Sequence, residues 1–156
     1  FVKPDETPAP IDVRALFAKP LKELAKRTDH RPIPAEAALR EHGANPTCGD
    51  RIELGLSVPG ASKSSAAPFD SIGFEGTACL LCTASAAALC ELLARTPRNE
   101  APRAVEKVMR WLEAIVDSPP PFDTLLPLAA VVAFPARVPC VVLPWITLQG
   151  LLARVP

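Results

Sequence analysis

Aromatic residues are scarce in this chain: six phenylalanines, two tryptophans and no tyrosine among 156 residues. Recognition of bases or sugars by ring stacking is therefore not expected. A surplus of either charge is also missing, since 17 Lys and Arg face 17 Asp and Glu. That balance argues against a dedicated nucleic-acid binder, which displaces counterions with surplus cations. It argues equally against a polybasic membrane-surface protein. Residues 1–10 hold no basic stretch followed by an apolar run, so no signal peptide is expected. The sequence has no phosphate-cradling glycine loop and no catalytic-type carboxylate pair. An uninterrupted apolar span is absent as well. Residues 125–152 carry Arg137 as their only charge, but Pro127, Pro135, Pro139 and Pro144 divide them. Prolines and a central arginine are costly in lipid. Two elements broken at residues 134–139 are expected there instead of a membrane helix.

Proline itself is abundant, with 19 residues, more than twice the roughly 5% that is usual. Long unbroken helices are not expected in such a chain. Hydrophobic residues at 49% and charged residues at 22% fit one globular domain of this length. Pro4, Pro8 and Pro10 mark residues 1–11 as a flexible tail, leaving residues 12–156 as the domain.

The patterning predicts a helix over residues 12–27, with Asp12 as its cap, Val13, Leu16, Phe17, Leu21 and Leu24 on one side, and a kink or split at Pro20. A short helical turn is expected over residues 35–41. Asn45 to Asp50 is turn chemistry. Residues 51–58 alternate, with Ile52, Leu54, Leu56 and Val58 on one face, which predicts a half-buried strand. A second strand is expected over residues 69–75, ended by Gly76 and antiparallel to the first. Good helix formers fill residues 79–94. A further helix is expected over residues 102–116, with Val105, Val108, Met109, Leu112 and Ile115 as its stripe. A short apolar helix over 124–133 and a last helix over about 140–153 complete the chain. Pro144 is expected only within a first turn. The fold class is α+β: a small antiparallel β-sheet with helices packed on one face.

Five cysteines stand at 48, 79, 82, 90 and 140. An odd number at wide spacing is unlike a disulfide framework. It fits reactive or metal-bound thiolates in a reducing compartment, and the cytoplasm is the expected location. Cys48 lies in a turn, Cys79 between a strand end and a helix start, and Cys140 at the opening of a helix. Free N–H groups and the helix dipole favour thiolates at such places. Three converging thiolates would hold zinc, or iron in a cluster, and a carboxylate would complete a tetrahedron. Asp50 is the nearest candidate. On spacing alone the alternative stays open that the three are half-buried cysteines acting as small hydrophobes.

The motifs bear on that choice. Asn45-Pro46-Thr47-Cys48-Gly49-Asp50-Arg51-Ile52 resembles the first cysteine motif of the SufU/IscU (NifU N-terminal-like) iron–sulfur cluster assembly proteins. Phe74-Glu75-Gly76-Thr77-Ala78-Cys79, followed by Ala84-Ser85, resembles the second. Phe134-Pro135-Ala136-Arg137-Val138-Pro139-Cys140, with Leu143 and Trp145 beyond it, resembles the third. The three come in family order and cover residues 40–153. IscU-type scaffolds carry His before the third cysteine; here Pro139 stands there, and the segment is closer to the SufU branch.

The resemblance implies the SufU/IscU fold and a zinc-dependent sulfur acceptor for a SufS-like cysteine desulfurase, feeding downstream iron–sulfur assembly proteins. It implies Cys48, Asp50, Cys79 and Cys140 as zinc ligands, with Cys140 as sulfur acceptor. Arg137 matches the branch's arginine and would pair with a carboxylate at the site or on the partner. Such a protein is a sulfurtransferase partner of the desulfurase or a non-enzymatic scaffold. A transient 2Fe–2S cluster on the same residues is the alternative, and a degenerate interaction module with a structural metal is another. Neither nucleic acid nor membrane is an expected partner.

The remaining candidates read differently. Cys79-Leu80-Leu81-Cys82 is a lone CxxC without the βαβ context of thioredoxin-like proteins. Cys82 reads as buried, with a role as alternative ligand or sulfur holder as the second reading. Cys90 reads as core. His42 reads as a solvated loop histidine that could also swing to a metal. Trp111 and Trp145 read as packing residues, and Arg103, Glu106, Lys107 and Arg110 as a solvated face.

Overall fold

The computed structural model describes residues 13–60, 64–114 and 118–156. The expected tail over residues 1–11 lies outside them, as does Ile115. The elements run α1 (Val13–Ala25), β1 (Leu39–Asn45), β2 (Asp50–Ser57), β3 (Ser71–Thr77), α2 (Leu80–Arg95), α3 (Ala101–Glu113) and α4 (Val138–Leu152). Three 3-10 helices, Arg98–Glu100, Asp123–Ala133 and Pro135–Arg137, connect them.

The strands form one antiparallel sheet in the order β1-β2-β3. Alternation along β2 puts Ile52, Leu54 and Leu56 into the core, and β3 adds Ile72 and Phe74. Leu54 stands opposite Glu41 on one side and Phe74 on the other, so that face is shared across the sheet. Helix α2 is the centre of the core. It buries eleven residues from Leu81 to Leu93 and touches α1, α4 and β3. Small residues at Ala84, Ala86, Ala87 and Ala88 let these neighbours approach closely. Helix α4 lies across β1 and β2, where Gly43 makes room for it: a Cβ there would stand 2.0 Å from Thr147 Oγ1 and 3.2 Å from Leu143 Cδ1. Arg154, just beyond α4, donates to the Arg40 carbonyl and pairs with Glu41 at 3.2 Å. The segment Pro135–Leu152 is long and apolar enough to cross a membrane. Cys140, Val141, Leu143, Trp145, Leu148 and Leu151 are instead buried against protein, as in a core helix.

The expected α+β architecture is the one observed, with four differences. Residues 39–45 are an edge strand, not part of a helical turn over 35–41. Their side chains are only half-buried or exposed in alternation. With glycine at the closest approach and charges at Arg40 and Glu41, little hydrophobic signal remains, and backbone pairing with β2 decides. The second strand runs two residues later than expected and passes through Gly76. Pro20 lies inside a continuous α1, whose Leu21, Leu24 and Ala25 are buried. Pro144 lies in the interior of α4 rather than its first turn. Tertiary packing on both faces holds the helix there despite the missing N–H.

Replacing Gly43 by Ala is expected to destabilise the fold by about 1–3 kcal/mol, the usual range for overpacking, read by urea denaturation. Thr147→Ala in the same chain should recover part of that loss; equal stability of wild type and G43A would contradict the close approach of α4.

A candidate metal centre

Three chain segments that are far apart in sequence meet at one end of the sheet. The first is the loop between β1 and β2. Asn45 pairs with Asp50 at the close of the hairpin, leaving Pro46, Thr47, Cys48 and Gly49 as the turn. Asn45 Oδ1 accepts from Thr47 N at 3.1 Å, and its carbonyl accepts from Gly49 N at 2.8 Å. Gly49 adopts φ +76°, a left-handed conformation that glycine takes without steric cost. The turn leaves Cys48 exposed and puts Asp50, at the start of β2, inside the protein.

The second segment is the start of α2. Cys79 is its N-cap residue. Its backbone N–H donates to Asp50 Oδ1 at 2.7 Å, and its Sγ accepts from Cys82 N at 3.5 Å. The third is the first turn of α4. Pro139 occupies a position where a missing N–H costs nothing, and Cys140 follows, buried. The Cys140 thiol lies 3.9 Å from Cys48 Sγ. One ligand atom each of Cys48, Asp50 and Cys140 falls within 4.8 Å of the others. The Cys79 sulfur stands outside that set, turned toward the first turn of α2.

Electrostatics match the geometry. Burial would raise the Asp50 carboxyl, but hydrogen bonding from the Cys48 thiol, the Cys79 N–H and the Cys79 and Cys140 thiols carries it below its ordinary value. Asp50 is therefore an ionised group at 4% exposure. Its Oδ2 is buried and has no hydrogen-bond partner of ordinary length. A buried anionic oxygen without a partner is costly, and a cation beside it removes the cost. Burial, then the charge of Cys79 and contacts with Cys48 and Cys79, pushes the Cys140 thiol up to about 12. Two sulfurs, of Cys48 and Cys140, and a carboxylate oxygen of Asp50 converge, donors of the kind that hold zinc, or iron in a cluster.

Two buried polar side chains fix the third segment. Ser85 Oγ donates to the Val141 carbonyl at 2.6 Å, and Trp145 Nε1 donates to Ser85 Oγ at 3.0 Å. Both partners are on α4, so one hydroxyl of α2 sets the rotation of the turn that carries Cys140. Sequence reasoning took Trp145 for simple packing and Ser85 for a motif match. A buried serine facing a buried tryptophan is visible only in three dimensions.

The other candidates are not among these converging ligand atoms. His42 is on β1, not in a loop; its side chain is 80% exposed and Nδ1 stands 3.7 Å from Glu53 Oε2. Arg137 is exposed on the 3-10 turn before α4 and forms no ion pair among the described residues. Cys82 and Cys90 are wholly buried, and burial raises both thiols strongly. Trp111 is buried, with Nε1 donating to the Ser118 carbonyl at 3.0 Å. Arg103, Glu106, Lys107 and Arg110 are exposed on α3, as their pattern implies.

No protein-family model and no curated protein matches the sequence. Solved structures do. A protein of the thermophile Fervidobacterium islandicum AW-1, described as an iron–sulfur cluster assembly scaffold protein for the SUF system, superposes with TM-score 0.73 at 22% identity, covering 89% of this chain and 98% of that one. A NifU-like protein (N-terminal) from Brucella abortus gives TM-score 0.72 at 17% identity over 90% and 94% of the two chains. The chain has the SufU/NifU fold. A third structure, of a hypothetical protein, gives TM-score 0.70 at 24% identity over 90% and 99%. In this SufU-like fold the three cysteine motifs read from the sequence occupy the hairpin turn, the α2 start and the α4 start.

Two outcomes follow. Ser85→Ala leaves the Trp145 N–H buried without a partner and is expected to cost about 1–3 kcal/mol, seen as a lower denaturation midpoint; an unchanged midpoint would show that the bond does not hold α4. The second concerns pH. An unfolded thiol titrates near 9.0 and Cys140 in the fold near 12. The stability this protonated thiol contributes is complete below pH 9 and is lost as pH rises toward 12. The denaturation midpoint of chelator-treated protein should fall across that window, and less so in Cys140→Ala.

Proposed function

We propose that this chain is an iron–sulfur cluster assembly protein that binds zinc through Cys48, Asp50, Cys79 and Cys140 and accepts sulfur from a cysteine desulfurase. The observation that carries the reading is the convergence of Cys48, Asp50 and Cys140 within 4.8 Å, with Asp50 Oδ2 buried and unpartnered among them. Cys79 completes the set by rotating its side chain away from the Cys82 N–H, since its backbone is already tied to Asp50. Bound zinc supplies a charge that keeps thiols deprotonated and brings no redox chemistry of its own.

Cys140 is the sulfur acceptor. Its thiolate attacks the outer sulfur of the desulfurase persulfide, the S–S bond there breaks, and the desulfurase cysteine leaves as a thiolate. Cys140 then carries the sulfur as a persulfide. Burial disfavours the anionic form of Cys140, and the charge of bound zinc would offset that. Cys48, on an exposed turn beside it, leaves the centre open to the partner. Exposed Arg137, three residues before Cys140, offers a guanidinium to a carboxylate of the desulfurase. Five free thiols fit a reducing cytoplasm.

A 2Fe–2S scaffold on the same residues is the second reading. The scaffold description of the Fervidobacterium islandicum protein favours it. Metal analysis after aerobic purification separates the two. One equivalent of zinc and a colourless protein are expected; a brown protein with iron and sulfide would support the scaffold. Addition of the zinc-loaded protein should stimulate a SufS-like desulfurase, and Cys140→Ala should abolish that stimulation. Stimulation that survives the substitution would overturn the acceptor role.

A further inference from the structure

Cys82 is a thiol at the centre that the sulfur-acceptor chemistry leaves unused. It is wholly buried and is the third residue of α2. Its N–H reaches the Cys79 sulfur at 3.5 Å, so that sulfur lies over the first turn of the helix. Side chains at the N-cap and at the third helical position face each other across a helix start, as in a capping box. Cys79 thus has two partners on the two sides of the helix start: Asp50 at its backbone N–H and the Cys82 N–H at its sulfur.

We propose that Cys79 and Cys82 form a dithiol–disulfide site that reacts with low-molecular-weight disulfides. Lack of a βαβ unit sets the chain apart from thioredoxins, but exchange chemistry needs only two thiols at a helix start. Cys79, half-exposed at the N-cap, is the attacking group. It displaces one half of the small disulfide, forming a mixed disulfide and releasing one thiolate. That thiolate takes the Cys82 proton. Cys82 then attacks the Cys79 sulfur and releases the second half as a thiolate. The protein dithiol has lost two electrons, and one small disulfide has become two thiols. Cys48 and Cys140, 3.9 Å apart, are the competing pair. They belong to segments 92 residues apart in sequence, whereas Cys79 and Cys82 share one helical turn.

The consequence rests on the proposed metal site: closing the pair withdraws one of the three sulfur ligands. The experiment uses the full chain, stripped of metal by a chelator and incubated with oxidised glutathione. Two of the five thiols should disappear, and peptide mapping should join Cys79 to Cys82. Zinc affinity should then fall at least tenfold and return with dithiothreitol. Cys82→Ser, or Cys82→Ala if the serine variant does not fold, should stop at a glutathione adduct on Cys79. A bond between Cys48 and Cys140 as the sole product, or glutathione held stably on wild-type Cys79, would overturn the proposal. Failure of the reduced protein to bind zinc would overturn the metal reading alone, because the disulfide map does not depend on it.

Discussion

The bond from the Cys79 N–H to Asp50 Oδ1, at 2.7 Å, ties the beginning of the central strand to the beginning of the central helix. Each end of it solves a problem for the other. A helix start has N–H groups with no partner inside the helix, and a buried carboxylate needs donors to remain charged. One oxygen of Asp50 meets the helix, and the second has only thiols around it and no hydrogen-bond partner of ordinary length. That second oxygen, together with the Cys48 and Cys140 sulfurs near it, is what the proposed metal site rests on.

The remainder of the fold delivers the last sulfur. Helix α4 is clamped at both ends and in the middle. Arg154 holds its far end to β1, Gly43 lets it settle onto the sheet, and the Ser85 hydroxyl fixes its first turn through Val141 and Trp145. A rotation of one residue about the helix axis turns a side chain by about 100°. Cys140 would then face away from Cys48. Packing far from the centre therefore decides whether the donor set exists.

Elements with strong periodicity were legible in the sequence. The alternation of Ile52, Leu54 and Leu56 gave β2, and Val105, Val108 and Leu112 gave α3. The edge strand β1 was not legible, because its pairing is made by backbone groups and its inward positions include Gly43 and Glu41. The proline rule failed at Pro144, where burial outweighs one lost hydrogen bond, while at Pro20 the helix is not split. The site was legible as motifs, not as spacing. Nothing local relates Cys48 to Cys140, and their meeting is a product of the whole chain. The contact of the Cys79 sulfur with the Cys82 N–H had no signal beyond the CxxC itself.

The 92-residue gap between Cys48 and Cys140 also sets an order of events during synthesis. The hairpin and α2 leave the ribosome well before α4 is made. Through that interval the nascent chain offers two sulfurs and a carboxylate, too few for a closed tetrahedron. The proposed ligand set is complete only when α4 docks, so on that reading metal capture would be a step of finished molecules.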